Sequence, residues 1–293
     1  MTAKELQQLP LDELRRRFLG STSGSLPRGG LAALRADERQ GARALAERIA
    51  RSGREAQAEG RRLARLLVFE QSLWSRGINL IAGVDEAGMA PLAGPVVAAA
   101  AILPPGVQGL VSINDSKLLL PEEREDLVPR IKSVSVAWAI GIASEAEIDR
   151  LNIYHAGLLA MHRAVTGLSV SPQHLLVDAR KVPDISMPQQ GIVKGDTKSM
   201  SIAAASILAK TYRDQVMRNL DVKHPGYGFA QHKGYPTPEH LAALSRLGAC
   251  DVHRRSFGPV REAPRLDGIQ PDFTFENQFG EATPNGTALH SSS

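Results

Sequence analysis

The sequence predicts an α/β fold for the central part of this 293-residue chain, and three observations support the prediction. Short apolar segments bounded by Gly and Pro alternate with longer segments whose apolar residues recur at helical spacing. The hydrophobic fraction of 43% and the charged fraction of 23% are ordinary for a globular protein and argue against global disorder. The longest apolar run, residues 96–103, has eight residues, whereas a membrane-spanning helix needs roughly 20. We therefore expect no role in a membrane.

Residues 1–75 are predicted to form a small helical appendage. Helical spacing of apolar or Ala/Arg/Glu residues occurs in the stretches 11–19, 32–50 and 63–74. Residues 1–77 carry 15 Lys and Arg against 9 Asp and Glu, a net charge of +6, although the whole chain has only +4. Nearly all of the excess is arginine, which pairs with phosphate bidentately. The segment is therefore interpreted as a surface for a polyanion, and a merely solvated helix face remains the alternative.

The following part of the chain, from residue 78 to about 260, is predicted to hold the α/β domain. Strands are expected at 79–84, 96–103, 133–143, 174–177 and 192–193. Helices are expected at 145–168 and 202–220, the second capped by Ser201 and buried in its first half. Strands followed by buried helices indicate an α/β architecture.

The last segment and the single cysteine set the expected compartment. Residues 261–293 are rich in Gly, Pro, Thr, Asn and Ser and are predicted to form a disordered tail. Cys250 cannot form an internal disulfide, and no apolar stretch follows Lys4 and Glu5 as a secretory signal would require. We predict a cytoplasmic protein.

Carboxylates that directly follow apolar strands are the pattern that points to chemistry. Asp85 follows residues 80–84, and Asp178 follows residues 175–177. A carboxylate buried there is costly unless a cation offsets its charge, and hard divalent metals take oxygen ligands of this kind. For either acid alone, a salt bridge or a helix N-terminus is the simpler explanation. Several such acids together favour a metal site.

Residues 78–260 contain an ordered series of motifs that is far more specific than any one of them. The motifs are GVDEAG (83–88), PLAGPVVA (91–98), DSK (115–117), KGD (194–196), SIAAASILAK (201–210), YGFAQHKGYPTPEHL (227–241) and HRRSFGPV (253–260). This series resembles ribonuclease HII, the bacterial type 2 ribonuclease H. The segment RLLVFEQSLWSRGINLIAG (65–83) also resembles family members with an N-terminal extension.

The resemblance implies a ribonuclease H-like fold, a mixed central sheet flanked by helices, and a catalytic site of four acids. Matched residue by residue, the catalytic and metal-binding acids are Asp85, Glu86, Asp178 and Asp196, holding two Mg²⁺ or Mn²⁺ ions. The implied activity is hydrolysis of RNA phosphodiesters in RNA/DNA hybrid duplexes and at ribonucleotides embedded in DNA, leaving 5′-phosphate and 3′-hydroxyl ends. The protein is expected to act as a monomer. Asp214, late on the buried helix, is interpreted as structural.

The resemblance also implies substrate contacts. Lys117 and Lys194 are candidate phosphate contacts, and Tyr235 matches the family's tyrosine beside the ribonucleotide sugar. On the residues alone, solvated lysines and a packed tyrosine are the alternatives. Adjacent strand residues point to opposite faces, so Asp85 and Glu86 are expected to share a site only if the strand ends or distorts at Ala87-Gly88.

Two departures from the family pattern affect substrate recognition. The family usually has Gly-Arg-Gly where this chain has Gly88-Met89-Ala90, at a backbone that approaches the 2′-hydroxyl. A usual Gly-Asn after the third acid is Ala179-Arg180, which places a guanidinium beside the metal site. We therefore predict altered discrimination at a single embedded ribonucleotide, with Arg180 partly replacing the missing arginine.

Three other classes of function fit the sequence less well. A non-catalytic hybrid-binding protein would not need four acids, and a DNA-junction nuclease would not need the Tyr235 segment. Zinc binding by Cys250 and the late histidines lacks a second cysteine, so these histidines are interpreted as surface or packing residues. The histidines concerned are His224, His232, His240 and His253.

Overall fold

The computed structural model describes residues 1–19 and 25–264. The predicted disordered tail, 261–293, lies outside the described residues except for its first four. Within the described part of the chain, no helix is both long enough and apolar enough to cross a membrane.

A five-stranded mixed sheet forms the centre of the fold, in the spatial order β3-β2-β1-β4-β5. The strands are β1 (Ile81–Ala87), β2 (Val96–Ile102), β3 (Ala137–Ala143), β4 (His174–Asp178) and β5 (Gln189–Ile192). β1 pairs with β2, and β2 with β3, in antiparallel register, whereas β4 runs parallel to both β1 and β5. The predicted mixed central sheet is confirmed.

Helices cover both faces of this sheet and form the N-terminal segment. The helices are α1 (Ala3–Gln8), α2 (Leu11–Leu19), α3 (Gly30–Arg35), α4 (Gln40–Leu66), α5 (Val68–Trp74), α6 (Pro121–Val134), α7 (Glu145–Leu151), α8 (Ile153–Thr166), α9 (Met200–Lys223), α10 (Phe229–His232), α11 (Pro238–Leu247) and α12 (Gly258–Arg261). Apolar residues of α8 pack on one face of the sheet, and those of α9 pack on the other.

Small residues allow the two buried helices to approach the strands closely. A Cβ atom at Gly83 of β1 would lie 2.0 Å from the carbonyl carbon of Ser201 in α9. A Cβ atom at Gly141 of β3 would lie 2.1 Å from the carbonyl oxygen of Ala160 in α8. The four alanines of β2 also leave room for close approach of the helices, and all seven residues of that strand are buried. This close packing fixes the strand ends that carry the candidate site.

Several predicted element boundaries were wrong, including that of the helix at 32–50, which is divided between α3 and α4. The helix predicted at 145–168 is two helices, because Asn152 has φ +67° and its side chain caps α8. The buried helix is capped by Ser199, whose Oγ accepts from the Ile202 N–H group, and Ser201 lies inside the helix. The strand predicted from residue 133 begins at Ala137, since residues 133 and 134 end α6. That helix was missed because prolines at 121 and 129 and many charges obscure its periodicity.

The N-terminal segment has a small apolar cluster of its own, which α4 connects to the sheet domain. Leu6, Leu14 and Leu34 are buried together with the first turns of α4. The middle of this 27-residue helix, residues 51–58, is exposed on all sides. The C-terminal end of α4 docks on the sheet domain, where Arg62 Nη1 donates to the Ile113 carbonyl at 2.7 Å.

Candidate active site

Two of the predicted acids are neighbours because β1 and β4 are adjacent parallel strands. Val84 is in register with Val177, so Asp85 and Asp178, the next residues, lie side by side. Asp85 lies on the face covered by α9, where the Ser206 hydroxyl contributes to the electrostatics of its carboxylate. β1 ends at Ala87 and Gly88 has φ +96°, as expected, although Asp85 and Glu86 themselves remain paired with β2. Asp178, at the end of β4, nevertheless interacts electrostatically with both Asp85 and Glu86.

Asp196 reaches the same place through a tight turn after β5. Lys194 adopts φ +55°, and residues Gly195–Thr197 form a 3-10 turn. The Gly195 N–H group donates to Asp178 Oδ1 at 2.7 Å. Asp196 is buried and interacts electrostatically with Asp178. The fold therefore brings together all four acids that the sequence identified.

Burial, together with the neighbouring negative charges, raises the pKa of three of these acids. Burial raises the pKa of Asp85 well above its usual value, and the charges of Glu86 and Asp178 add to that effect. The pKa of Glu86 is raised by burial, which outweighs the nearby Arg180 cation. Burial, followed by the charges of Asp115 and Asp178, raises the pKa of Asp196. Oxygen donors that are buried and mutually repulsive fit hard divalent cations such as Mg²⁺ or Mn²⁺.

Arg180 is held against Glu86 rather than projecting freely into solvent. Its Nη2 lies 3.2 Å from Glu86 Oε1, and its guanidinium lies 5.1 Å from the centre of the Tyr154 ring. Within the described residues, Arg180 Nη1 and Glu86 Oε2 are buried and have no hydrogen-bond partner. Ala179, before it, has φ +49°, a conformation that glycine adopts more easily. The arginine thus offsets part of the negative charge of the site.

The segment 88–95 forms a wall beside the acids, and two buried arginines hold its backbone. Arg254 donates to the carbonyls of Gly88 and Gly94 at 2.6 and 2.8 Å, and also to Pro91. Arg213 donates to the carbonyls of Ala93 and Pro95. Both arginines were missed as site residues, although Arg254 lies in the HRRSFGPV motif and Arg213 lies in a helix predicted to be buried. Their side chains act as positioning groups for this wall.

Gly88 and the two variant residues that follow it have different surroundings. Gly88 is buried with φ +96°, and a Cβ atom there would lie 2.2 Å from Arg213 Nε. Met89 packs inward, since a Cβ atom at Gly157 would lie 3.0 Å from the Met89 sulfur and 3.1 Å from Arg180 Nη1. Ala90 is exposed and is not among the positive-φ residues of the described chain. A glycine at position 90 is therefore not required by backbone conformation.

The predicted lysines and tyrosine have different surroundings. Burial acts to lower the pKa of Lys117, but Asp115, Asp196 and the other acids outweigh it and raise that pKa. Lys194 is exposed at the turn before Asp196. Tyr235 is 39% exposed, and its backbone carbonyl lies 2.9 Å from His240 Nδ1. Asp115, which the sequence interpretation left out of the site, interacts with Asp196.

Asp214, His240 and His253 are buried and paired within the protein, whereas His224 lies with Cys250 and Asp251 in a cluster whose possible ligand atoms are within 4.8 Å of one another. Asp214 is buried and pairs with Lys210 at 2.6 Å and Arg124 at 3.2 Å. His240 and His253 are buried with their Nε2 atoms 3.1 Å apart, beneath the Tyr235 turn. Cys250 Sγ lies 3.1 Å from His253 Nδ1, so this cysteine and histidine contact each other.

Solved structures share this architecture. Ribonuclease H2 from Pyrococcus horikoshii aligns with a TM-score of 0.55 and 26% identity over 62% of this chain and 95% of that one. A ribonuclease HIII, Bst-RNase HIII, in complex with Mn²⁺ aligns with a TM-score of 0.51 and 18% identity, over 63% of this chain and 68% of that one, which shows the fold alone. The mixed sheet and its flanking helices define a protein of the ribonuclease H-like fold.

The relationships in sequence are closer. The family model for ribonuclease HII matches residues 82–260. Ribonuclease HII of Myxococcus xanthus is 56% identical over 291 residues, which is 99% of both chains. That of Geobacillus thermodenitrificans is 54% identical over 230 residues, covering 78% of this chain and 88% of the relative. The chain belongs to the ribonuclease HII family and has the ribonuclease H endonuclease activity of that family, which acts on RNA/DNA hybrids.

Proposed function

We propose that this ribonuclease H cuts the RNA strand of hybrid duplexes and also cuts at ribonucleotides embedded in DNA, leaving 5′-phosphate and 3′-hydroxyl ends. The convergence of four acids, at the ends of β1 and β4 and in the turn after β5, is the observation that supports the chemistry. Asp85, Glu86, Asp178 and Asp196 would hold two divalent cations, Mg²⁺ or Mn²⁺. When bound, such ions activate water and stabilise the charge that develops on the phosphate and the leaving oxygen.

The chain's own groups position the acids and the substrate. The Gly195 N–H group orients the Asp178 carboxylate, and Arg180 orients that of Glu86. Lys117, whose ammonium interacts with several of the acids, would contact a phosphate of the cleaved strand. Lys194 would contact a neighbouring phosphate from the turn before Asp196.

The wall of residues 88–95 and Tyr235 would face the ribonucleotide. Arg213 and Arg254 hold the wall's backbone carbonyls, so Gly88, Met89 and Ala90 present a preorganised backbone to the 2′-hydroxyl. Tyr235 would lie against the sugar. Inward packing of Met89 leaves the backbone, rather than the side chain, as the group that meets the substrate at this position.

The decisive experiment is cleavage of matched duplexes that contain four ribonucleotides, one ribonucleotide or none. The full chain should cut the first two with added Mg²⁺ or Mn²⁺, should leave the third intact, and should lose activity in excess chelator. Asp178→Asn and Asp196→Asn serve as controls. Cleavage of the all-DNA duplex, or full activity in chelator, would contradict the proposal.

The exposed arginines of α4 are proposed to bind the duplex backbone. This helix carries seven arginines and three glutamates, and its exposed Arg51, Arg54 and Arg61 are remote from the acids in sequence. Replacing these three by glutamine should weaken binding and reduce the slope of log affinity against log salt by up to about 2.7. The same replacement at the exposed Arg130, Arg150 and Arg261 is the matched control. Equal slopes in both variants would mean a solvated helix face.

Two further expectations belong to this proposal. A nucleic-acid substrate of this kind is met in the cytoplasm, so we propose a cytoplasmic protein. We also propose a monomer, because one copy of the chain supplies all four acids. Sedimentation of the full chain at the concentrations used for cleavage tests the second statement, and an active dimer with an inactive monomer would refute it.

A further inference from the structure

Glu70 is a buried carboxylate that belongs to the N-terminal segment and is not part of the site described above. It lies on α5 with no solvent exposure. Its Oε1 atom accepts from the Ser199 hydroxyl at 2.6 Å and from the Ser201 N–H group at 2.9 Å. These partners lie 129 and 131 residues away in the sequence. The contact therefore links the N-terminal extension directly to the first turn of α9.

The Ser199 hydroxyl has two roles, and Glu70 fixes its orientation. Its oxygen accepts from the Ile202 N–H group, which caps α9, while its proton is donated to Glu70. The Ser201 N–H group belongs to the same helix start, where the N–H groups have no partner within the helix. A carboxylate at a helix N-terminus is also favoured by the helix dipole. Glu70 thus stabilises the start of α9 in one position.

The start of α9 is connected to two of the catalytic acids by short backbone links. The Ser199 N–H group donates to the Gly195 carbonyl at 2.8 Å. The Gly195 N–H group in turn donates to Asp178 Oδ1, and Asp196 is the next residue in the same 3-10 turn. Ser201 also lies against Gly83 of β1, two residues before Asp85. A shift of this helix start would move the turn that carries Asp196.

The surroundings of Glu70 argue against a purely packing role. Leu73, Ile81 and Ile202 form an apolar cluster at the contact between α5, β1 and α9. An aliphatic side chain would fill this space without the cost of burying a carboxyl group. Within the described chain, Glu70 Oε2 and Ser201 Oγ are buried without hydrogen-bond partners. We attribute the presence of a carboxyl group here to the two hydrogen bonds that Glu70 Oε1 accepts from Ser199 and Ser201.

We propose that Glu70 is a positioning residue of the catalytic centre, through which the N-terminal extension holds the turn that carries Asp196. This inference rests on the proposed function, in which Asp178 and Asp196 bind divalent cations. The extension then has a second role besides its arginine-rich helix, because α5 completes the support of the metal-binding turn.

The test compares Glu70→Leu, Glu70→Gln and Ser199→Ala in the full chain. Mn²⁺ binding is measured directly by the electron paramagnetic resonance signal of free Mn²⁺, and kcat and KM are measured on the four-ribonucleotide duplex. Glu70→Leu should weaken Mn²⁺ binding about 10- to 100-fold, as loss of groups that orient metal ligands does, and should lower kcat while KM stays within about twofold. Glu70→Gln should retain binding within about threefold, because its amide oxygen accepts the same two hydrogen bonds.

Two controls make every outcome decisive. Glu59→Ala removes a different anchor of the extension, the acceptor for the Ser112 N–H group and the partner of Arg62, and should leave Mn²⁺ binding unchanged. Ser199→Ala should weaken Mn²⁺ binding about 3- to 10-fold, and it tests the inference even if Glu70→Leu fails to fold. Normal Mn²⁺ binding in Glu70→Leu or in Ser199→Ala, beside weakened binding in Asp196→Asn, would overturn this inference alone. Normal binding and activity in Asp196→Asn would overturn the proposed function as well.

Discussion

The four-acid centre and the wall of residues 88–95 adjoin each other in the chain but are stabilised in opposite ways. In the centre, buried carboxylates lie together, and the pKa values of Asp85, Glu86 and Asp196 are raised. In the wall, the carbonyls receive charged hydrogen bonds from Arg213 and Arg254. The centre is thus electrostatically incomplete without cations, whereas the wall is complete within the protein. Substitutions in the two regions should therefore change stability with opposite signs.

The largest effect is expected at the centre, from Asp85→Asn. Loss of one charged ligand should reduce kcat/KM at least about 1,000-fold, or about 4 kcal/mol of transition-state stabilisation. In chelator, however, the variant should unfold at a higher temperature, because a carboxylate whose pKa is raised by burial destabilises the fold at neutral pH. Activity assays and thermal unfolding in chelator check the two parts.

Asp214→Asn is the matched control for that substitution. Asp214 is also a buried acid, but Lys210 and Arg124 neutralise it. Its replacement should lower stability by about 3–5 kcal/mol, since it leaves buried cations unpaired. Equal changes in unfolding temperature for the two variants would show that the centre is not strained by its charges.

The second largest effect is expected at the wall, from Arg254→Ala. This guanidinium is fully buried and donates to the carbonyls of Gly88, Pro91, Gly94 and Pro95. Removal should lower the free energy of unfolding by about 3–5 kcal/mol, because several buried carbonyls lose charged donors. Urea unfolding measures the loss. Arg255→Ala, at the exposed neighbouring residue, should change stability by less than about 0.5 kcal/mol.

The acids of the centre could be predicted from sequence, and the arginines of the wall could not. Asp85 and Asp178 are each preceded by a local apolar run, and the resemblance supplied Glu86 and Asp196. Arg213 and Arg254 act on carbonyls 118 to 166 residues away in the chain, so no local pattern shows their partners. Glu70 was missed for the same reason. Residues that act through distant backbone groups become visible only when the fold brings those groups together.

The helix boundaries show a similar limit on a smaller scale. Periodicity correctly placed a buried helix after Asp196, but the cap was assigned to Ser201 instead of Ser199. Both serines precede the apolar run in the sequence, and only the structure shows that Ser201 is inside the helix and buried. In the same way, Asn152 at φ +67° divides α7 from α8 within one continuous apolar pattern.

A third prediction concerns Glu145, a carboxyl group whose electrostatics depend on the same two arginines that hold the wall. Burial raises the pKa of Glu145, at the start of α7, to about 7, although Arg254 and Arg213 lower it in opposition. The folded state therefore binds a proton more tightly than the unfolded state does. The stability contribution of the protonated carboxyl is complete at low pH and is lost as pH rises from about 4.5 to about 7.

Glu145→Gln removes this titration. The difference in unfolding free energy between variant and natural protein should grow in favour of the variant by up to about 3 kcal/mol between pH 4 and pH 8. Urea unfolding at both pH values in chelator provides the measurement. Contributions from the four-acid centre cancel in the difference between variant and natural protein. A difference that does not change with pH would mean that Arg213 and Arg254 keep Glu145 ionised in the folded protein.

The smallest effect is expected where the two regions meet, between Met89 and Arg180. The side chains of both residues lie against Gly157, and Arg180 is paired with Glu86. In Met89→Arg a second guanidinium would compete for the same carboxylate, which frees one of the two cations for a phosphate near the single ribonucleotide. We expect a several-fold gain in kcat/KM on the one-ribonucleotide duplex relative to the four-ribonucleotide duplex.

Arg180→Ala should then lower the kcat/KM of the natural protein more than that of the Met89→Arg protein, with a coupling energy of about 1 kcal/mol, or about fivefold. Ala90→Gly is the control, and it should leave the ratio of the two substrates within about twofold, because Ala90 already has an ordinary backbone conformation. If Arg180→Ala costs both backgrounds equally, the two positions act independently, and Arg180 serves only the four-acid centre.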